Sequence, residues 1–132
     1  MKLTLDTNIF ISAFYWGGNP QKVIDRIIEG LDELYLCSEI LDEIAKVMMR
    51  PKFKSGPQII DAYIKTIEKT AKKVYIAGTI KGVCRDKDDD RIIECGILSG
   101  ADYIITGDDD LLVLEKFQEI KIVTADQYLD LL

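Results

Sequence analysis

The stretch Lys2-Leu3-Thr4-Leu5-Asp6-Thr7-Asn8-Ile9-Phe10 decides the fold. Lys2 to Leu5 is short and apolar, a strand running into a core. It stops at Asp6, and Ile9, Phe10, Ile11, Ala13 and Phe14 then begin an apolar run with helical spacing. A carboxylate at the carboxyl end of a strand, immediately before a helix, sits where open α/β sheets place their ligands. Capping alone also accounts for Asp6, because Asp, Thr and Asn all satisfy the free amides of a helix start. The choice between these readings depends on whether other carboxylates recur at equivalent corners.

Outward from this stretch, strand-like and helix-like segments alternate. A glycine-rich loop is expected over Phe14 to Asn19, and a helix from about Pro20 to Glu29, with Val23, Ile24, Ile27 and Ile28 apolar. Leu34 to Cys37 reads as a buried strand. Ser38 suits the N-cap of a helix carrying Ile40, Leu41, Ile44, Val47 and Met48, which stops before Pro51. Another helix opens at Pro57, and Val74-Tyr75-Ile76 reads as a strand. Asp86 to Asp90 precede a helix closed by Gly100, with Asp86 as expected N-cap and Asp89 as its capping-box partner. Asp102 to Thr106 and Ile120 to Val123 complete the strands, and Thr124 opens a terminal helix. Such alternation favours a three-layer α/β/α sandwich around a mostly parallel sheet, in one domain over 1–132.

Composition narrows the chemistry. The formal net charge of −6 argues against a general polyanion binder, since phosphate affinity comes mostly from Lys and Arg. Cys37, Cys84 and Cys95 form no CxxC pair, and with no histidine in the chain a structural zinc site is not expected. The absence of histidine also excludes Ser-His-Asp and Cys-His hydrolases. No apolar run approaches a membrane span and the N-terminus lacks signal-peptide architecture, so a reducing cytoplasm is the expected compartment.

Acids recur at the strand-to-helix corners: Asp6, and Asp108 with Asp110. Others stand at helix beginnings: Glu39, Asp42 and Glu43, and Asp86, Asp88, Asp89 and Asp90. Converging without interleaved Lys or Arg, such acids repel one another and call for a hard divalent cation, Mg²⁺ or Mn²⁺. Helical phase puts Glu43 at the flank of its helix and Asp42 in solvent. It puts Asp89 on the face of Ile92, Ile93 and Gly96, leaving Asp88 and Asp90 as rim charges.

Four segments in this order resemble the PIN-domain ribonucleases over nearly the whole chain. They are Asp6-Thr7-Asn8; Ser38 with Glu43, ending in Arg50-Pro51-Lys52-Phe53; Cys84-Arg85-Asp86-Lys87-Asp88-Asp89-Asp90; and Gly100-Ala101-Asp102 through Asp108-Asp109-Asp110-Leu111. The match is closest to the subfamily related to the VapC toxins of toxin–antitoxin systems. The resemblance implies catalytic Asp6, Glu43, Asp89 and Asp108, with Asp6, Asp89 and Asp108 as ligands to Mg²⁺ or Mn²⁺, and Asp90 and Asp110 as alternative ligands. Thr7, Asn8, Ser38 and Thr106 would orient these acids. Lys87 stands where relatives commonly carry proline, and Asp109 where they often carry a basic residue.

The implied function is hydrolysis of RNA phosphodiesters by a toxin paired with an antitoxin protein, with a homodimer common among relatives. A catalytically weak PIN-like module binding RNA or protein is the alternative. A phosphohydrolase using Asp6 as phosphoryl acceptor is disfavoured, because such enzymes place an Asp two residues later and here that position is Asn8. Arg50, Lys52, Lys54, Lys65, Lys69, Lys72 and Lys73 are candidates to guide RNA, and Tyr15 and Trp16 to stack on a base or pack in a dimer.

Overall fold

The computed structural model describes Met1–Leu132. Strand β1 (Lys2–Leu5) lies at the middle of a six-stranded sheet. Its neighbours are β2 (Glu33–Leu36) on one side and β4 (Tyr103–Ile105) on the other, both parallel. The two-residue β3 (Lys72–Lys73) extends the sheet beyond β2, and β6 (Ile120–Val123) extends it beyond β4. Only β5 (Lys116–Phe117), paired with β6 as a hairpin at the far edge, is antiparallel.

Period-two alternation sorts the sheet's two faces. Thr4 reaches Cys95 on helix α5 (Asp90–Ser99), and its register partner Ile104 lies against Gly96 of the same helix. Tyr103 points the other way, edge-on to Tyr128 of α7 (Ala125–Asp130). Helices α1 (Thr7–Trp16), α2 (Gly18–Ile28), α3 (Ser38–Met48), α4 (Pro57–Thr70) and α7 pack on one another, whereas α5 packs across β1, β2 and β4. The short α6 (Asp109–Leu112) follows β4. Leu3, Leu5, Ile93, Ile104 and Ile105 are fully buried at the centre of the core. Gly96 is required by close approach, since a Cβ there would stand 3.0 Å from Ile104 Cδ1 and 3.2 Å from Ile120 Cδ1.

Several boundaries differ from expectation for local reasons. The loop expected over Phe14 to Asn19 contracts to Gly17, whose φ of 70° lets its amide close α1 onto the Ser12 and Ala13 carbonyls while α2 starts at once. Cys37, not Ser38, is the N-cap residue of α3. The strand expected at 74–76 is displaced to Lys72–Lys73, leaving the Val74 amide on the Leu36 carbonyl as its last ladder bond. Asp86 does not cap α5. It closes a separate turn by accepting from the Asp88 amide, and the helix begins only at Asp90.

Candidate metal centre

Asp6 ends β1 and is the N-cap of α1, so the two sequence readings of this residue coincide in one side chain. Its Oδ1 accepts from the Thr7 amide at 2.7 Å, and its Oδ2 accepts from the Thr106 hydroxyl at 2.8 Å. The Thr106 oxygen also accepts from the Asp108 amide at 3.0 Å, which ties the ends of β1 and β4 to the loop beyond them. The Asp6 amide donates to the Ile105 carbonyl, continuing the ladder to the edge of the site. Burial pushes the Asp6 carboxyl above its ordinary range against these hydrogen bonds, and the charges of Glu43 and Asp108 push the same way.

Asp108 is the N-cap of α6, with its Oδ1 accepting from the Asp110 amide at 2.9 Å. That cap turns the Asp110 side chain back toward the same space. Asp89, the residue before α5, joins them. Carboxylate oxygens of Asp89, Asp108 and Asp110 lie within 4.8 Å of one another. Opposite ligands of Mg²⁺ stand about 4.2 Å apart, twice its usual bond length, so small side-chain movements close this triad on an ion.

Asp89 carries the strongest sign of unfinished coordination. It is 9 % exposed, and its Oδ2 is buried with no hydrogen-bond partner. Burial, reinforced by the charges of Asp108, Asp6 and Asp86, pushes its carboxyl up to about 7. A buried acceptor without a donor is costly, and a cation removes both the orphan and the repulsion. An all-oxygen donor set fits Mg²⁺ or Mn²⁺ rather than zinc.

The expected acids do not all converge. Glu43 is close enough to raise Asp6, yet it lies outside the triad, half-exposed and 3.8 Å from Arg91. Asp42 is exposed, and both residues line a groove of about 520 Å³ together with Arg50, Asp88 and Arg91. Asp110 stands in the triad itself. Asp90 is not a rim charge: it is 4 % exposed, and its oxygens accept from the Gly82 and Cys84 amides at 3.0 and 2.7 Å. Thr7 contributes its amide to Asp6 while its buried hydroxyl lacks a partner. Asn8 is exposed, and Ser38 donates to Glu39 rather than to Glu43.

Nor are the acids free of cations, contrary to expectation. Arg91 sits 3.6 Å from Asp88 as well as near Glu43, and Arg85 reaches within 3.9 Å of Asp110. Among the basic residues away from the centre, Lys65, Lys72 and Lys73 are occupied by Asp61, Glu33 and Glu68. Tyr15 stacks on Phe53 at 4.3 Å between centroids, and Trp16 beside it is 71 % exposed.

Two buried acids escaped sequence reasoning. Asp32 accepts from Arg26 and from the Tyr128 hydroxyl, both at 2.9 Å. Glu94 accepts from four consecutive backbone amides, Ala77 to Ile80. Its signal was legible: an acid set among Ile92, Ile93, Cys95 and Gly96 lies on a face that must be buried.

A PIN domain family model matches residues 2–110. The chain is also 36 % identical over 117 residues to the uncharacterized protein MJ1680 of Methanocaldococcus jannaschii, covering 86 % of this chain and 75 % of that protein. PIN domains are generally nucleases that use divalent metals. With a mostly parallel sheet, acids gathered at the carboxyl ends of β1 and β4, and a family match over most of its length, this chain belongs to the PIN domain family.

Proposed function

We propose that this protein is an endoribonuclease dependent on Mg²⁺ or Mn²⁺ and the toxin of a toxin–antitoxin pair. The observation that carries the nuclease reading is Asp89, which has a buried, unpartnered Oδ2 and whose carboxylate clusters with those of Asp108 and Asp110. These three residues would hold the cation, which when bound offsets charge on a phosphodiester and lowers the pKa of an attacking water. Asp6, fixed by Thr7 and Thr106 and raised above the ordinary range, accepts a proton nearer neutrality than an exposed carboxylate does. Glu43 supplies a further carboxylate at the rim, and Arg91 beside it is a donor for a substrate phosphate.

The toxin role, an antitoxin partner and residence in the cytoplasm rest on the likeness of the four acidic segments to the VapC-related subfamily. No helix is long and apolar enough to cross a membrane. A homodimer is supported by the exposed Trp16 beside Tyr15 and Phe53, and sedimentation tests it. For the chemistry, cleavage of a single-stranded RNA in Mn²⁺ is expected to fall by several orders of magnitude in Asp108→Asn and to stop in EDTA. Undiminished cleavage by a folded Asp108→Asn protein, or in EDTA, refutes the proposal.

A further inference from the structure

Residues 75–85 make no backbone-to-backbone hydrogen bond. What holds this segment is two carboxylates one turn apart on α5. Glu94 Oε2 accepts from the Ala77 and Gly78 amides at 2.5 and 3.2 Å, and Oε1 from Thr79 and Ile80 at 2.8 and 3.3 Å. Asp90 takes the Gly82 and Cys84 amides. Six amides thus converge on four oxygens, and Glu94 is only 3 % exposed. Burial disfavours the Glu94 charge, but the four amides outweigh it and hold the carboxyl below its usual range.

The segment runs directly into the metal centre. Arg85, the residue after the last amide held, stands 3.9 Å from Asp110. Asp86 follows, its carbonyl accepting from the Asp89 amide and its Oδ1 from the Asp88 amide, both at 3.0 Å. The backbone that presents Asp89 is therefore tied on one side to α5 and on the other to a turn whose approach depends on Glu94 and Asp90. Two buried charges beside an acidic centre are costly unless fully hydrogen-bonded, and here the segment's six amides meet that demand. Carboxylates do provide four acceptor positions in a rigid plane, which an amide side chain cannot.

We propose that Glu94, together with Asp90, is a positioning residue that straps the 75–85 segment to α5 and thereby fixes Asp89 and Arg85 relative to Asp108 and Asp110. This inference rests on the proposed metal centre. It predicts that Glu94→Gln, which exchanges two acceptor sites for donors facing amides, weakens Mn²⁺ binding tenfold or more in calorimetric titration, within the 10- to 100-fold cost usual for groups that orient metal ligands. Amide hydrogen exchange over residues 77–84 should rise in the same variant. Tyr128→Phe, which loosens the distant Asp32 cluster, serves as a control that loses stability and keeps Mn²⁺ affinity. Because coupling is reciprocal, saturating Mn²⁺ must in turn slow exchange of the 77–84 amides in the unaltered protein, a measurement that stands even if Glu94→Gln does not fold. Wild-type Mn²⁺ affinity in Glu94→Gln while Asp108→Asn loses it, or exchange at 77–84 indifferent to Mn²⁺, overturns the strap. Wild-type affinity in Asp108→Asn overturns the metal centre instead.

Discussion

Replacing Asp89 with Asn in the metal-free protein is expected to change the pH dependence of its stability. Burial and the facing charges of Asp108 and Asp6 raise the Asp89 carboxyl to about 7, from an ordinary value of 3.8. Below the ordinary value both folded and unfolded chains carry the proton. Between the two values only the folded chain does, so wild-type stability falls as pH rises through this window. Above about 7 the proton is gone from both states and the unfavourable contribution is felt in full.

The slope in the window is about 1.4 kcal/mol per pH unit and fades near pH 7, so wild type loses about 3 kcal/mol between pH 5 and 8.5 that the Asn variant keeps. Asn carries its own cost, a buried amide without partners at about 1–3 kcal/mol, but that term does not vary with pH. The measurable quantity is therefore the change in the gap between the two proteins. Thermal unfolding followed by circular dichroism in EDTA should show the variant gaining roughly 8–12 °C on wild type from pH 5 to pH 8.5, using the sensitivity usual for domains near this size. Saturating Mn²⁺ should then favour wild type, which binds it more tightly. A gap that stays constant from pH 5 to 8.5 would refute the reasoning, because it would mean that Asp89 titrates alike in the folded and unfolded chains.

Two further changes probe the scaffold. Tyr128→Phe removes a hydrogen bond to charged Asp32 and should cost about 1.5–3 kcal/mol in urea unfolding at pH 7. Burial pushes Asp32 up, but Arg26 and Tyr128 outweigh it and hold the carboxyl below its usual range, so this cost should shrink only as acid protonates Asp32 through that lowered value. Gly96→Ala sets about 1 kcal/mol of helix propensity against overpacking of about 1–3 kcal/mol on Ile104 and Ile120. The expected outcome is a net loss near 1 kcal/mol in the same assay, and a gain in stability would show that the two isoleucines yield.

The sequence by itself determined the alternation of strands and helices, apart from the two-residue β5 and the displaced β3, and the place of Asp6 and Asp108, because those features are written in local periodicity and in where it breaks. The opening apolar strand ending in an acid placed β1 and its corner without tertiary information. Helical phase likewise pointed to Asp89 rather than Asp88, and Asp89 is the buried one of the two although it stands one residue before α5. It failed at Asp90, one residue along, because whether an acid faces water or the amides of residues 82 and 84 depends on the path of a segment without regular structure. Only the tertiary structure separated Asp110, which joins the triad, from the other alternative ligand Asp90, set Arg91 between Glu43 and Asp88, and turned Glu94 into a fastener for a strand-less loop. Each of those depends on distances between residues far apart in the sequence or on opposite sides of a turn. A carboxylate's role is decided by the donors and charges that the fold brings within about 4 Å of it, and local pattern carries no record of them.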